Sequence, residues 1–135
     1  METSSRDRVE KLRLIPLFAD LSDAALERIL ECATEFEVGK EHVLVQPNQP
    51  GAGLFIIEDG TVAVELRDRT LERGQGEFFG ELALLNEGGL RSARVRTLTP
   101  VRRLAISRDD FSRLLEDDHQ MTLALLRALA RRLVG

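Results

Sequence analysis

Residues 79–93 bring together residue types that suit a small phosphorylated ligand. Gly80 has no side chain, so the backbone there can approach a ligand closely. The residues after it can begin a short helical turn, whose free N–H groups point at an anion. Glu81 offers a carboxylate that accepts a hydrogen bond from a ribose hydroxyl, and Arg91 offers a two-pronged donor for phosphate oxygens. With the Ser92 hydroxyl beside Arg91, these groups predict a site for a compact nucleotide.

The same segment has a plainer interpretation, in which it is an amphipathic stretch, a flexible loop and a charged strand. A single Glu and a single Arg on a β domain usually form a surface ion pair that adds little stability. Residue types and spacing alone leave both interpretations open.

The chain offers little else for catalysis or metal binding. His42 and His119 are far apart in sequence, and Cys32 is the one cysteine. These counts exclude a disulfide framework, an iron–sulfur cluster and a cysteine zinc site, and they do not suit a histidine metal site. No nucleophile has an adjacent base. We therefore expect a protein that is not an enzyme and that has neither a metal nor a cofactor.

The net charge of −4 disfavours binding to nucleic acid, but the charge is uneven along the chain. Residues 91–108 contain six arginines and no acid. We interpret this run as the solvated face of two strands, and a weak nucleic-acid surface is the alternative. Six Phe with no Trp and no Tyr provide few stacking platforms for single-stranded nucleic acid.

The elements that must position these residues follow the order helix, many short strands, helix. Apolar residues recur at helical spacing over 6–14 until Pro16 ends the helix, and Ser22 is placed to cap a second helix. Between about 37 and 106, short apolar runs alternate with Gly and Pro, which predicts six to eight strands in a sandwich or barrel. Within them, Asp59-Gly60 predicts a hairpin turn between two apolar strands.

The C-terminal part returns to helix. Ser107-x-x-Asp110 is a capping box, and a last helix is predicted over about 118–133. Its apolar positions cover more than one stripe, so either the β domain or a second chain should cover them. The 135 residues suit one domain, with no apolar run long enough for a membrane span and no secretory signal, so we expect a cytoplasmic protein.

Residues 79–97 resemble the phosphate-binding cassette of cyclic nucleotide-binding domains, a family found in catabolite activators, protein-kinase regulatory subunits and gated channels. The cassette has the pattern F-G-E-L-A-L-x, a short variable loop and R-S/T/A-A-x-V, and this chain has Phe79-Gly80-Glu81-Leu82-Ala83-Leu84-Leu85 and then Arg91-Ser92-Ala93-Arg94-Val95. Ile15-Pro16-Leu17-Phe18 and Gly51-x-Gly53-Leu54-Phe55-Ile56-Ile57-x-x-Gly60 extend the resemblance. Leu90 departs from it, standing where the family often has Pro.

The resemblance implies a mainly β fold, an eight-stranded antiparallel jelly roll (a cupin-like double-stranded β-helix) with N-terminal and C-terminal helices. Residues 1–135 would form one domain, with N-terminal helices over about 6–36, the roll over 37–106, the cassette over 79–93, and hinge and lid helices over 107–135.

The resemblance also implies a role for each site residue. Arg91 would pair with the cyclic phosphate and Glu81 would accept from the ribose 2′-hydroxyl. Backbone N–H groups near Gly80, Leu82 and Ala83 and the Ser92 hydroxyl would hold phosphate and ribose. Leu129 or Leu133 of the last helix would cover the base.

We therefore expect a regulatory sensor domain that binds a 3′,5′-cyclic nucleotide, cAMP in preference to cGMP, and relays binding through its C-terminal helices. The chain would act within a longer receptor or as a free-standing binding protein, with a possible homodimer through the last helix. The alternative is a degenerate domain that has lost its ligand and serves as a dimerisation or protein-interaction module.

Overall fold

The computed structural model of the chain describes residues 5–45, 53–79 and 94–134. Its helices are α1 (Ser5–Arg13), a short 3₁₀ helix (Pro16–Phe18), α2 (Asp23–Cys32), α3 (Arg108–Asp117) and α4 (His119–Val134). Its strands are β1 (Thr34–Val38), β2 (Val43–Val45), β3 (Gly53–Asp59), β4 (Val62–Glu65), β5 (Thr70–Arg73), β6 (Phe78–Phe79), β7 (Arg94–Thr97) and β8 (Val101–Ser107).

The strands form two four-stranded antiparallel sheets, in the orders β1-β8-β3-β6 and β2-β7-β4-β5. Neighbours within each sheet are mostly distant in sequence, which is the connectivity of a roll and not of a simple meander. The predicted mainly β fold with helices at both ends is confirmed.

The first sheet separates two hydrophobic cores, because successive side chains of a strand point to opposite faces. Leu54 and Ile56 of β3 face the helices, whereas Phe55 and Ile57 face the space between the sheets. We call the first cluster the helix-side core; its largest fully buried members include Phe18, Leu26, Ile29, Leu54, Ile56, Ile106, Phe111 and Met121. We call the second the roll core; its buried members are Phe55, Ile57, Val62, Phe79, Val95 and Val101.

The turn at Asp59-Gly60 is present, but the hairpin predicted there is wrong. Gly60 has a φ of +100°, which an L side chain rarely adopts. The two strands that the turn joins lie in different sheets, since β3 pairs with β8 and β6, while β4 pairs with β5 and β7. The dipeptide specifies a local bend, whereas the partners of each strand are set by contacts distant in sequence.

Both predicted helix caps are confirmed. The Ser22 hydroxyl accepts the Ala25 N–H at 3.2 Å, and the Ser107 hydroxyl accepts the Asp110 N–H at 3.2 Å. The last helix begins at His119, where the Asp118 carboxylate accepts the Gln120 N–H at 2.9 Å.

Helix α4 buries one of its apolar stripes and exposes another. Met121, Leu125 and Ala128 are buried in the helix-side core. Leu123 and Leu126 remain 38% and 59% exposed. The β domain and its helices thus cover only part of this wide apolar face, and a homodimer through it stays a prediction. No helix in the described part of the chain is both long and apolar enough to cross a membrane.

Candidate functional site

The structure describes the two strands that enter and leave the predicted cassette, β6 and β7. Six predicted site residues lie outside the described residues: Gly80, Glu81, Leu82, Ala83, Arg91 and Ser92. The side chain of Leu133 lies outside them as well. The structure therefore describes β6 and β7, which flank the cassette in the sequence, and the helix α4 that contacts β6.

The strand that leads into the cassette is anchored inside the roll. The ring of Phe79 lies in the roll core, with its centroid 5.3 Å from that of Phe55. The turn before this strand is held to β3, because the Gly76 N–H donates to the Ile57 carbonyl at 2.7 Å and the Ile57 N–H donates to the Glu77 carbonyl at 2.9 Å. Gly80 thus follows a strand whose position is fixed by packing and by backbone hydrogen bonds.

The strand that leads out of the cassette is anchored as firmly. Val95 packs in the roll core, and Thr97 is fully buried. The Thr97 hydroxyl donates to the Gly39 carbonyl and accepts the His42 N–H, both at 2.8 Å. Both ends of 80–93 are therefore held by the roll.

Two arginines after the cassette, the exposed Arg94 and the half-buried Arg96, agree with the solvated-strand interpretation. The Arg94 guanidinium donates to the Glu65 carboxylate at 2.9 Å, and Arg96 donates to Glu41 at 3.1 Å and to Glu65 at 3.5 Å. The hydrogen bond from Arg94 is the main cause that lowers the pKa of Glu65. Because acidic side chains accompany these cations, the pair does not form a basic surface suited to nucleic acid.

Arg103 is the exception, and sequence reasoning missed it. Its guanidinium carbon lies 4.4 Å from the ring centroid of Phe55 and 5.3 Å from that of Phe36. It therefore turns into the roll and away from the helices. The alternation of β8 carried the signal, since Arg103 lies two positions from Val101 and two from Ala105, and both of these pack in the roll core.

The last helix reaches back to the strand before the cassette. The Arg132 guanidinium lies 4.0 Å from the ring centroid of Phe78 and donates to the Phe78 carbonyl. Leu129, one of the two predicted lid residues, packs against the helix-side core. The C-terminal end of α4 is thus in contact with the residue directly before Phe79.

A cavity of about 560 Å³ lies between the end of α4, the strand β5 and the turn that follows it. Four arginines line it with one acid, and Arg73 pairs with that acid, Glu77, at 3.4 Å. The arginines are Arg69, Arg73, Arg131 and Arg132. The space beside the last helix is therefore strongly cationic.

Two carboxyl groups lie close together on the helix side of the first sheet. Burial, and then a hydrogen bond to Glu35, raise the pKa of Glu58 to about 7. The positive charges of Arg102 and Lys11 oppose that rise in pKa only in part. Both of them, together with Arg8, line a surface cavity that also contains the two carboxyl groups. A proton shared by the two carboxyl groups relieves their repulsion.

Glu58→Gln should therefore make the protein more stable at alkaline pH. A raised carboxyl pKa means that the folded state binds the proton more tightly, so the wild type loses stability as the pH rises from about 4.5 to above 7. We expect Glu58→Gln to gain about 1 kcal/mol at pH 8, after allowance for screening of this half-buried group, and little at pH 5. Urea denaturation at the two pH values measures the difference.

Glu35→Gln is the matched variant for this prediction. It removes the other carboxylate of the pair but leaves Glu58 buried, so it should produce a smaller gain at pH 8 than Glu58→Gln does. An equal gain for Glu58→Gln at both pH values would contradict the shared-proton explanation.

Comparison with known proteins agrees with this architecture. The family model for the cyclic nucleotide-binding domain matches residues 35–118, which is more than half of the chain. The chain therefore belongs to the cyclic nucleotide-binding domain family, whose members are regulatory ligand-binding domains.

Individual relatives are longer proteins. The chain is 35% identical over 113 residues to a cyclic nucleotide-gated potassium channel of Rhizobium etli, covering 82% of this chain and 32% of the channel. It is 36% identical over 121 residues to a cGMP-dependent protein kinase of Drosophila melanogaster, covering 81% of this chain and 15% of the kinase.

The fold is also that of a solved regulatory domain of Toxoplasma gondii protein kinase A in complex with cAMP. The TM-score is 0.79 at 18% identity, and the match covers 93% of this chain and 50% of the other. The chain spans about a third or less of the curated relatives named above.

Proposed function

We propose that this chain is a regulatory sensor domain that binds a 3′,5′-cyclic nucleotide, with cAMP preferred to cGMP, and relays binding through α3 and α4. The observation that carries the proposal is the nearly complete cassette pattern of residues 79–97, which falls within the part of the chain that the family model matches. The degenerate alternative would have lost the charged and glycine positions that are present in this chain.

In this proposal the cassette supplies the contacts to phosphate and ribose. Arg91 neutralises the cyclic phosphate, and Glu81 accepts from the 2′-hydroxyl, which is the one free ribose hydroxyl of such a nucleotide. Backbone N–H groups near Gly80, Leu82 and Ala83, with the Ser92 hydroxyl, complete the polar contacts. Leu129 or Leu133 covers the base.

The proposed relay runs through β6. Phe79 packs in the roll core and Phe78 packs on the helix side, so a shift of this two-residue strand affects both layers. Arg132 contacts Phe78 from α4, which gives the last helix a direct contact with the strand that begins the cassette. Ligand shifts the helices only as far as it binds their two arrangements with different affinity.

The preference for cAMP is supported by the fold shared with the cAMP-bound kinase regulatory domain, whereas the similarity to a cGMP-dependent kinase supports cGMP. This chain matches only a part of each longer relative, which favours a role within a larger receptor over that of a free-standing protein. In both cases we propose a single binding domain over 1–135 that acts in the cytoplasm.

Calorimetric titration of ligand-free protein with cAMP and cGMP tests the proposal. The chain has no Trp and no Tyr, so a purine that co-purifies dominates its ultraviolet spectrum and is easily detected and removed after denaturation. Micromolar or tighter binding of one nucleotide supports the sensor and identifies its base. No heat with either nucleotide, from protein that melts cooperatively, contradicts it and favours an interaction module that uses the exposed face of Leu123 and Leu126.

A further inference from the structure

Arg103 places a half-buried positive charge on the roll side of the first sheet. In the register of the first sheet it lies between Phe36 of β1 and Ile57 of β3. Its guanidinium lies over the ring of Phe55, which is two residues nearer to the start of β3 than Ile57 is. Phe55 in turn contacts Phe79, the residue before Gly80. The charged group therefore leans toward the end of the roll at which the cassette begins.

Two of the three nitrogens of this guanidinium lack polar partners among the residues that the structure describes. Its Nε and Nη1 atoms are shielded from solvent, and neither has a hydrogen-bond partner there. Burial lowers the pKa of Arg103, with no nearby acid among the causes of the shift. The Thr97 hydroxyl is already bonded to Gly39 and His42.

Two aromatic rings compensate such a charge only in part. A cation over a ring gains a modest attraction, whereas buried N–H donors without acceptors lose their hydration. Apolar side chains of similar size pack in such positions at lower cost, because they need no partner. The buried side chains of the roll core are apolar, and the buried Thr97 hydroxyl already has its partners, so Arg103 calls for a partner from outside the described part of the chain.

We propose that Arg103 is a further ligand-binding residue, whose buried N–H donors bind acceptor atoms of the cyclic nucleotide inside the roll. The inference rests on the proposed function and adds a residue to that site. Two parts of the ligand present paired acceptors. The phosphate oxygens are shared by cAMP and cGMP, whereas the O6 and N7 pair belongs to guanine alone, because adenine has an amino donor in place of O6.

The test compares Arg103→Leu with the wild type in two measurements. The thermal melt of ligand-free protein should shift upward, because the variant removes a half-buried charge whose Nε and Nη1 atoms are shielded from solvent without a partner. The affinity for nucleotide in calorimetry should fall about tenfold to a hundredfold, because the ligand loses a charged hydrogen-bond donor. A fall for both nucleotides identifies the phosphate as the partner, and a fall for cGMP alone identifies the guanine edge.

Arg102→Leu is the matched control. It removes the same charge from the neighbouring position of β8, which faces the helix side, and it should leave nucleotide affinity unchanged. Arg103→Met keeps the length of an unbranched stem and serves as the second variant if Arg103→Leu does not fold.

If the wild type binds nucleotide and Arg103→Leu or Arg103→Met binds it with the same affinity, the inference about Arg103 is overturned. Arg103 is then a packing residue, and the proposed function stands. If the wild type binds neither nucleotide, the proposed function fails and this inference fails with it. The wild-type titration therefore distinguishes the two failures.

Discussion

Arg91→Ala is expected to abolish measurable binding of cyclic nucleotide while the domain still melts cooperatively. In the proposed site this side chain is the partner of the phosphate monoanion. Removing one member of a desolvated ion pair costs about 3–5 kcal/mol, because the other charge stays buried without compensation. That corresponds to a loss of affinity of about a hundredfold to several thousandfold. Calorimetry with cAMP and cGMP measures the loss.

Arg94→Ala is the control for this experiment. It removes an arginine three residues further along the same stretch, where the guanidinium is exposed and pairs with Glu65. We expect its affinity to equal that of the wild type, since an exposed ion pair contributes little. Equal affinity in Arg91→Ala as well would show that the cassette resemblance does not identify the phosphate ligand.

Gly53→Ala is expected to have the largest effect on stability. A Cβ atom at this position would lie 2.2 Å from the Ile106 carbonyl oxygen of β8, and a backbone oxygen cannot move aside without separating the two strands. Strand β3 contributes Leu54 and Ile56 to one core and Phe55 and Ile57 to the other, so the strain reaches both. We expect a loss of about 3 kcal/mol or more of unfolding free energy, measured by urea denaturation.

Gly74→Ala makes the same chemical change where space is available. The nearest atom to the added Cβ would be the Gly60 carbonyl oxygen, at 3.8 Å, which is ordinary contact. We expect this variant to unfold at a urea concentration close to that of the wild type. If Gly53→Ala unfolds at the same urea concentration as Gly74→Ala, then β3 and β8 are less tightly paired than the structure indicates.

Local chemistry predicts the helices well and strand pairing poorly. Ser22 and Ser107 cap their helices as expected, because a cap depends on atoms only a few residues away. Asp59-Gly60 gives the expected bend without the expected hairpin, because β3 and β4 find partners elsewhere in the chain. A turn residue specifies the direction of the backbone, and the sheet order depends on contacts that no short window contains.

The candidate site, too, is predicted from the sequence only in part. The cassette pattern names its residues from the sequence, although the described residues give only the two strands that hold it. In the sequence, Arg103 stands among five other arginines as part of a solvated face, because a run of like charges conceals the alternation of the strand. The neighbours Val101 and Ala105 distinguish it only once β8 has been placed between the two cores.

The alternation of β8 also bears on how such a domain can change over evolutionary time. Leu104 and Ile106 meet the helices, while Val101, Arg103 and Ala105 face the roll. A point mutation on this strand therefore alters either the roll side or the helix side, but not both at once. Under the proposed function, in which the roll holds the ligand and the helices carry the output, substitutions at adjacent codons change one of the two while keeping the other.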